Sequence, residues 1–318
     1  MEVFVDELGS NAYTYAQAQS IGTPWLTLTK VNSSAVTGDI ATILAGIHTN
    51  SGMDVGYTLS KAFTFRGQNA PSLVGGKETW STILDAANNS WGVGPQSVSM
   101  DLILKNIEWR NIKATGAGSS YYIMGLNGGA GAAVVNWIVD HCKFKTFGAM
   151  HGGVAAGGII SSSLAGTHGN IDFSFCILDD IYDSQIDANG SQIFGFRISQ
   201  AGKTVKIYNN TIYLPRIVAA EMVDGIWAAT NQPLATLTWK NNIVYSAASI
   251  PFYKAGSQVF PNKTIDYNCH YNITGVPAGV GNISTDPLLV DPTNGAFGLR
   301  NNGIDIISPC IDTGITTI

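Results

Sequence analysis

The chain has 318 residues, enough for one large domain or two ordinary ones, each able to bury a sizeable core. Charged residues make up only 12% of it, Gly contributes 36 residues and hydrophobic residues reach 45%. That composition excludes a disordered protein and suits a β-rich chain full of tight turns. A net charge of -5 leaves no basic stripe to neutralise phosphates, so nucleic acid is excluded as a partner. No apolar run of ~18 residues offers a transmembrane helix.

In chain order, the opening "MEVFVDELGS" has no basic stretch followed by an apolar one, so no signal peptide is visible. The expected settings are a virion that leaves its cell by lysis, the extracellular space after removal of a leader, or the cytosol. Next come Phe4-Val5-Asp6, a Gly9-Ser10 turn, Pro24-Trp25-Leu26-Thr27-Leu28, Gly38-Asp39 and a short strand over 40–46. Six strand-like stretches follow, each with an Asn or Cys in its middle: "LILKNIEW", "WIVDHCKF", "DFSFCILD", "KIYNNTIY", "TWKNNIVY" and "IDYNCHYN". Aligned on Asn106, Cys142, Cys176, Asn210, Asn242 and Cys269, they step by 36, 34, 34, 32 and 27 residues. Self-similarity at that period marks a solenoid, and because the unit is an alternating strand, the solenoid is an all-β parallel β-helix.

Stacking also explains the asparagines. Asn is depleted in strands because its amide competes for backbone hydrogen bonds, but coils lie ~4.8 Å apart, so an inward Asn can bond the amide above and below it. Asn210 over Asn242 is the expected stacked pair, with Cys142 and Cys176 as free thiols on the same ladder. Coils near 34 residues are long, and the Gly-rich run 148–163 reads as a loop on one side. The chain closes with Asp286-Pro287, Asp291-Pro292, Leu299, Ser308-Pro309 and Ile311-Asp312-Thr313-Gly314.

The two ends and the ladder between them resemble the pectate lyase-like right-handed parallel β-helix superfamily, over essentially the whole chain. The resemblance implies a single-stranded right-handed solenoid forming one domain over 1–318, with a cap at 1–48, coils over 49–272 and a terminal coil over 273–318. It also implies a short N-terminal capping helix, which residues 26–36 can supply although Thr27, Thr29 and Val31 are β-branched. The superfamily hosts lyases, hydrolases, adhesins and viral tail proteins, so fold alone does not choose among them.

Chemistry in this fold comes from carboxylates on adjacent coils. Asp187 lies 11 residues past Cys176 and Glu221 lies 11 past Asn210, with Asp183 and Asp224 close by in phase. These four are the candidate catalytic acids, able to act as acid and base on a glycosidic bond. Trp227 is the candidate sugar platform, joined by His151 and by Arg216 and Lys254 as positive partners. Asp179 and Asp180, in the most acidic stretch of the chain, are candidate ligands for Ca²⁺. His141 and His270 are expected to face outward by alternation, as are several tryptophans, Trp80 and Trp109 among them. The Asp-Asp and Arg-Ile pairs echo the superfamily's hydrolases, but the remaining motifs are missing or out of order, so that active site is not transferred.

The leading expectation is a virion-associated or extracellular β-helix, tailspike-like, that binds a polysaccharide and has the acids to cleave it, with a homotrimer as the matching assembly. A secreted polysaccharide lyase or glycoside hydrolase is the alternative, and a non-catalytic structural or adhesive solenoid the third.

Overall fold

The computed structural model describes residues 1–49, 57–87, 93–95, 99–113, 122–126, 134–149, 158–162, 167–183, 191–196, 202–216, 223–228, 235–253, 260–300 and 310. Within them the strands form three long parallel sheets. Sheet A has nine strands, from Glu2–Val5 to Asn262–Asp266; sheet B has eight, from Gly46–Thr49 to Cys269–Thr274; sheet C has six, from Tyr57–Leu59 to Val223–Ala228. One coil runs through Thr167–Ser174 in A, Ile177–Asp183 in B and Ser191–Phe196 in C, then returns to A at Thr204–Tyr208. This is a parallel β-helix. Among the described residues no helix is long and apolar enough to cross a membrane.

The stretches read as single strands are each two strands separated by a bend between sheets A and B. Thr204–Tyr208 belongs to A and Thr211–Leu214 to B, with Asn209 and Asn210 at the corner. The corner gives the two asparagines different work. Asn209 takes a left-handed φ of 58°, as does Asn241 at 54°. Asn tolerates that conformation better than most residues, and it lets the chain turn. The second Asn of each pair points inward. Asn210 Nδ2 donates to Asn242 Oδ1 at 3.0 Å, Asn242 Nδ2 to Asn268 Oδ1 at 3.2 Å, and Asn268 Nδ2 to Asn282 Oδ1 at 3.0 Å. Each Oδ1 also accepts the backbone N–H of the rung before it, so Cys176 N donates to Asn210 Oδ1 at 2.9 Å.

Two ladder members move by one residue. The expected Asn106 is a left-handed corner residue (φ 58°), and because Glu108 pairs with Lys143, the residue in register with Cys142 is Ile107. The expected Cys269 pairs in register with Ile243, and Asn268 carries the ladder instead. The reason is that a left-handed residue breaks strict side-chain alternation at the corner. The rung spacing also shortens toward the C-terminal end, from 34 and 32 residues to 26 and 14.

Inside the coil, rings stack down the axis. Phe144 meets Phe173, Phe173 meets Phe194, and Trp239 meets Phe252, with centroids 5.8, 5.2 and 5.2 Å apart. Trp109 is buried here rather than turned outward, and Trp137, in phase with the ladder strands, is buried as well. The N-terminal opening is closed by the helix Leu28–Ser34, shorter than 26–36, whose Leu28 and Val31 are buried and whose N-terminus is capped by the Thr27 hydroxyl accepting from Lys30 N.

Two hairpins lie outside the solenoid, Ser72–Val74 with Lys77–Thr79, and Leu289–Asp291 with Ala296–Leu299. They lie over the outer face of sheet B, where Trp80, Leu289 and Phe297 join Ile177 and Tyr213 in a second apolar cluster. Trp80 is therefore buried too, its Nε1 donating to His141 O at 2.7 Å.

Candidate functional site

The expected acidic cleft divides between described and undescribed residues. Asp187, Glu221, His151 and Lys254 lie outside the described residues. Asp183 ends a strand of sheet B in register with Ala149. Asp224 and Trp227 lie in the sheet C strand Val223–Ala228, opposite Gln192 and Gly195. Asp183 and Asp224 thus flank the corner between sheets B and C on successive coils.

Asp179 and Asp180 do not fit a calcium site. Asp179 is buried and ion-paired with Lys143, Nζ to Oδ2 at 3.4 Å. Burial raises its carboxyl above the usual range, while Lys143 and Lys145 pull it back. Asp180 has a left-handed backbone (φ 67°), and its carboxylate is held by the Arg216 guanidinium through two hydrogen bonds. Each carboxylate thus has its own cation, and Arg216 is committed to Asp180 rather than presented alone to a ligand. Among the described residues no group of three or more His, Cys, Asp or Glu side chains could hold a metal ion.

The described residues do form a groove of about 630 Å³ on the opposite side of sheet B, at its corner with sheet A. Its floor is the run of corner residues on three successive coils, His141, Phe175 and Asn209, with Ile177 and Thr211 just beyond. One wall is the hairpin Ser72–Thr79, bringing Leu73 and Glu78; the other is the terminal hairpin, bringing Val290 and Phe297. Leu73 is 71% exposed, Val290 48% and Phe175 45%, so apolar surface is offered to solvent on all three sides.

Coil geometry orders this floor. His141 and Phe175 occupy equivalent corners one coil apart, and their rings stack with centroids 5.0 Å apart and planes 12° apart. Tyr208 meets the Phe175 ring edge-on at 6.0 Å. Asp140 lies 2.6 Å from His141 Nδ1, which fixes the ring and leaves Nε2 for a ligand. Glu78 is exposed at the rim, yet the walls keep enough water from its carboxyl to raise its pKa, with His141 and Lys143 acting the other way. Lys143 itself is beneath, buried with Asp179 and sitting over the Trp80 and Phe297 rings at 5.7 and 5.4 Å.

No protein-family profile matches this chain, and no curated protein matches it. Among solved structures it is similar to a mutant of AlyGC, a PL6 family alginate lyase, with a TM-score of 0.51. The likeness covers 90% of this chain at 13% sequence identity, and this chain spans 38% of that lyase's length. At that identity the likeness shows the fold: a parallel β-helix of the kind found in polysaccharide lyases.

The groove is not legible from the ladder alone, because two hairpins outside the repeat wall it and the ladder alignment assigns no role to the corner residues other than Asn106. The signal was present. Once the ladder is set at Cys142, Cys176, Asn210, Asn242 and Asn268, the residues just before it read His141, Phe175, Asn209, Asn241 and Tyr267, and the rings stand out among the asparagines.

Proposed function

We propose that this protein binds a polysaccharide, and that the groove between the two hairpins is where the glycan lies. The observation that carries the reading is the His141–Phe175 ring stack on the floor of a partly apolar groove. Pyranose rings pack their C–H faces on exposed aromatic rings, while a few polar groups at the edge select hydroxyls. A solenoid supports this because equivalent corners recur every ~4.8 Å, a spacing suited to a polymer. The polysaccharide lyase fold of the structural neighbour agrees with a glycan partner. The virion or extracellular setting, the tailspike-like role and a homotrimer belong to the same proposal and rest on the sequence resemblance.

A cleaving version of this reading has its own observation. Glu78, with its raised pKa, and His141, held by Asp140, face one groove. A carboxyl whose pKa is raised by loss of water is suited to donate a proton to a glycosidic oxygen. Incubating the protein with a panel of neutral and acidic polysaccharides tests both levels. Binding of at least one polymer is expected, and cleavage would give new reducing ends that Glu78→Gln lowers by about 10²-fold or more. Unsaturated products that persist in Glu78→Gln would place the chemistry elsewhere. Absence of binding to every polymer would end the glycan reading.

A further inference from the structure

The corner positions carry a backbone peculiarity. Asn106, His141, Phe175, Asn209, Asn241 and Tyr267 all adopt left-handed φ values between 51° and 58°. Asn and His take that conformation comparatively readily, whereas a Phe or Tyr there is strained. Tyr267 has an internal reason to stay, since its ring packs so closely on Gly281 that a Cβ there would come within 2.6 Å. Phe175 packs on His141 and Tyr208 but leaves 45% of itself in water. The chain thus holds a strained, half-exposed ring where its neighbours of the next two coils use Asn.

The charges around that ring are one-sided. Among the described residues, the groove lining contains Glu78 and His141 but no Lys or Arg. The nearby cations are engaged: Lys105 with Asp140 at 3.3 Å, and Lys143 with Asp179 beneath the apolar roof. Lys77, next to Glu78 on its strand, alternates to the other side of the hairpin, where its field acts on Asp291. A polyuronate would bring one carboxylate per sugar toward Glu78, and among the described residues no Lys or Arg lines the groove to meet it.

Building on the glycan-binding reading, we infer that the groove accepts a neutral polysaccharide, its pyranose faces laid on the His141–Phe175 stack, and excludes polyuronates. The neutral polymer offers hydroxyls to Glu78, His141, Asn209 and Thr211 without a charge penalty. The class differs from the substrate in the name of the structural neighbour, because a shared fold does not fix the charge of a groove.

Affinity electrophoresis of the full chain at low ionic strength tests this, with gels containing neutral glucans, mannans and galactans, or alginate and polygalacturonate. The expected result is retardation by at least one neutral polymer and at least tenfold weaker retardation by both polyuronates. Phe175→Asn should lower neutral binding at least tenfold while the melting temperature holds or rises, since Asn suits the left-handed corner. Glu78→Gln should narrow the gap between neutral and acidic polymers. Equal or stronger retardation by polyuronates, lost in Phe175→Asn, would overturn the inference while leaving a glycan groove. Neutral binding indifferent to Phe175→Asn, or a fall in melting temperature in that variant, would overturn it as well. If no polymer is retained, the glycan-binding reading itself fails.

Discussion

At the scale of single residues, the paired asparagines show how much a solenoid asks of one position. Asn209 and Asn241 are chosen for a backbone angle, whereas Asn210 and Asn242 are chosen for a buried amide that bonds in both directions along the axis. Asn242 Oδ1 accepts from both Asn210 N and Asn210 Nδ2, while its own Nδ2 donates to Ile207 O at 2.9 Å. Asn242→Ala would strand these partners in the core, so a loss of about 2–4 kcal/mol is expected. A denaturant midpoint with unchanged m-value would record it; a change below about 0.5 kcal/mol would show that the ladder does not hold the coils together. The ladder's interval was legible in the sequence because repeats near 34 residues align by eye. Its register was not, because one left-handed residue at each corner shifts which side chains point inward.

At the scale of elements, the same one-residue slip decides the face of a whole strand. With Cys269 taken as inward, His270 should lie outside; with Asn268 inward, the strand Cys269–Thr274 turns His270 into the core. There its Nε2 accepts from Trp239 Nε1 at 3.0 Å, and burial pushes its pKa down to about 4. The unfolded chain binds this proton near pH 6.5 and the folded one only near pH 4, so the contribution to stability is complete above the first value and lost as pH falls through that window. The size is on the order of 3 kcal/mol. Stability measured from pH 7 to 4 should therefore fall, and His270→Gln, which keeps an acceptor without titrating, should flatten that part of the slope. An unchanged slope would mean that the histidine is not buried neutral. The hairpin over Ser72–Thr79 has a local sequence signal: Gly75 and Gly76 both have positive φ, 58° and 79°, and a Gly-Gly pair between two short strands is a hairpin signal. The terminal hairpin was half legible, since its Asp-Pro motifs were recognised while its position over sheet B depends on contacts far apart in sequence.

At the scale of the whole molecule, the fold was legible because repetition multiplies a weak signal, and each coil repeats the same apolar alternation. A site has no such repetition. The expected acids, Asp183 and Asp224, flank the corner between sheets B and C, whereas the groove lies at the corner between sheets A and B, walled by two hairpins that leave the repeat. The groove depends on the places where the pattern is broken: rings at corners otherwise given to Asn, and segments that fold back over the outer face. The two corners can be told apart in one measurement. Hydrogen–deuterium exchange of the full chain, with and without an oligosaccharide of the polymer it retains, should show protection over 71–78, around residues 141, 175 and 209, and over 289–299. Protection centred on 183–187 and 221–224 instead would contradict the account and return the glycan to the acidic corner.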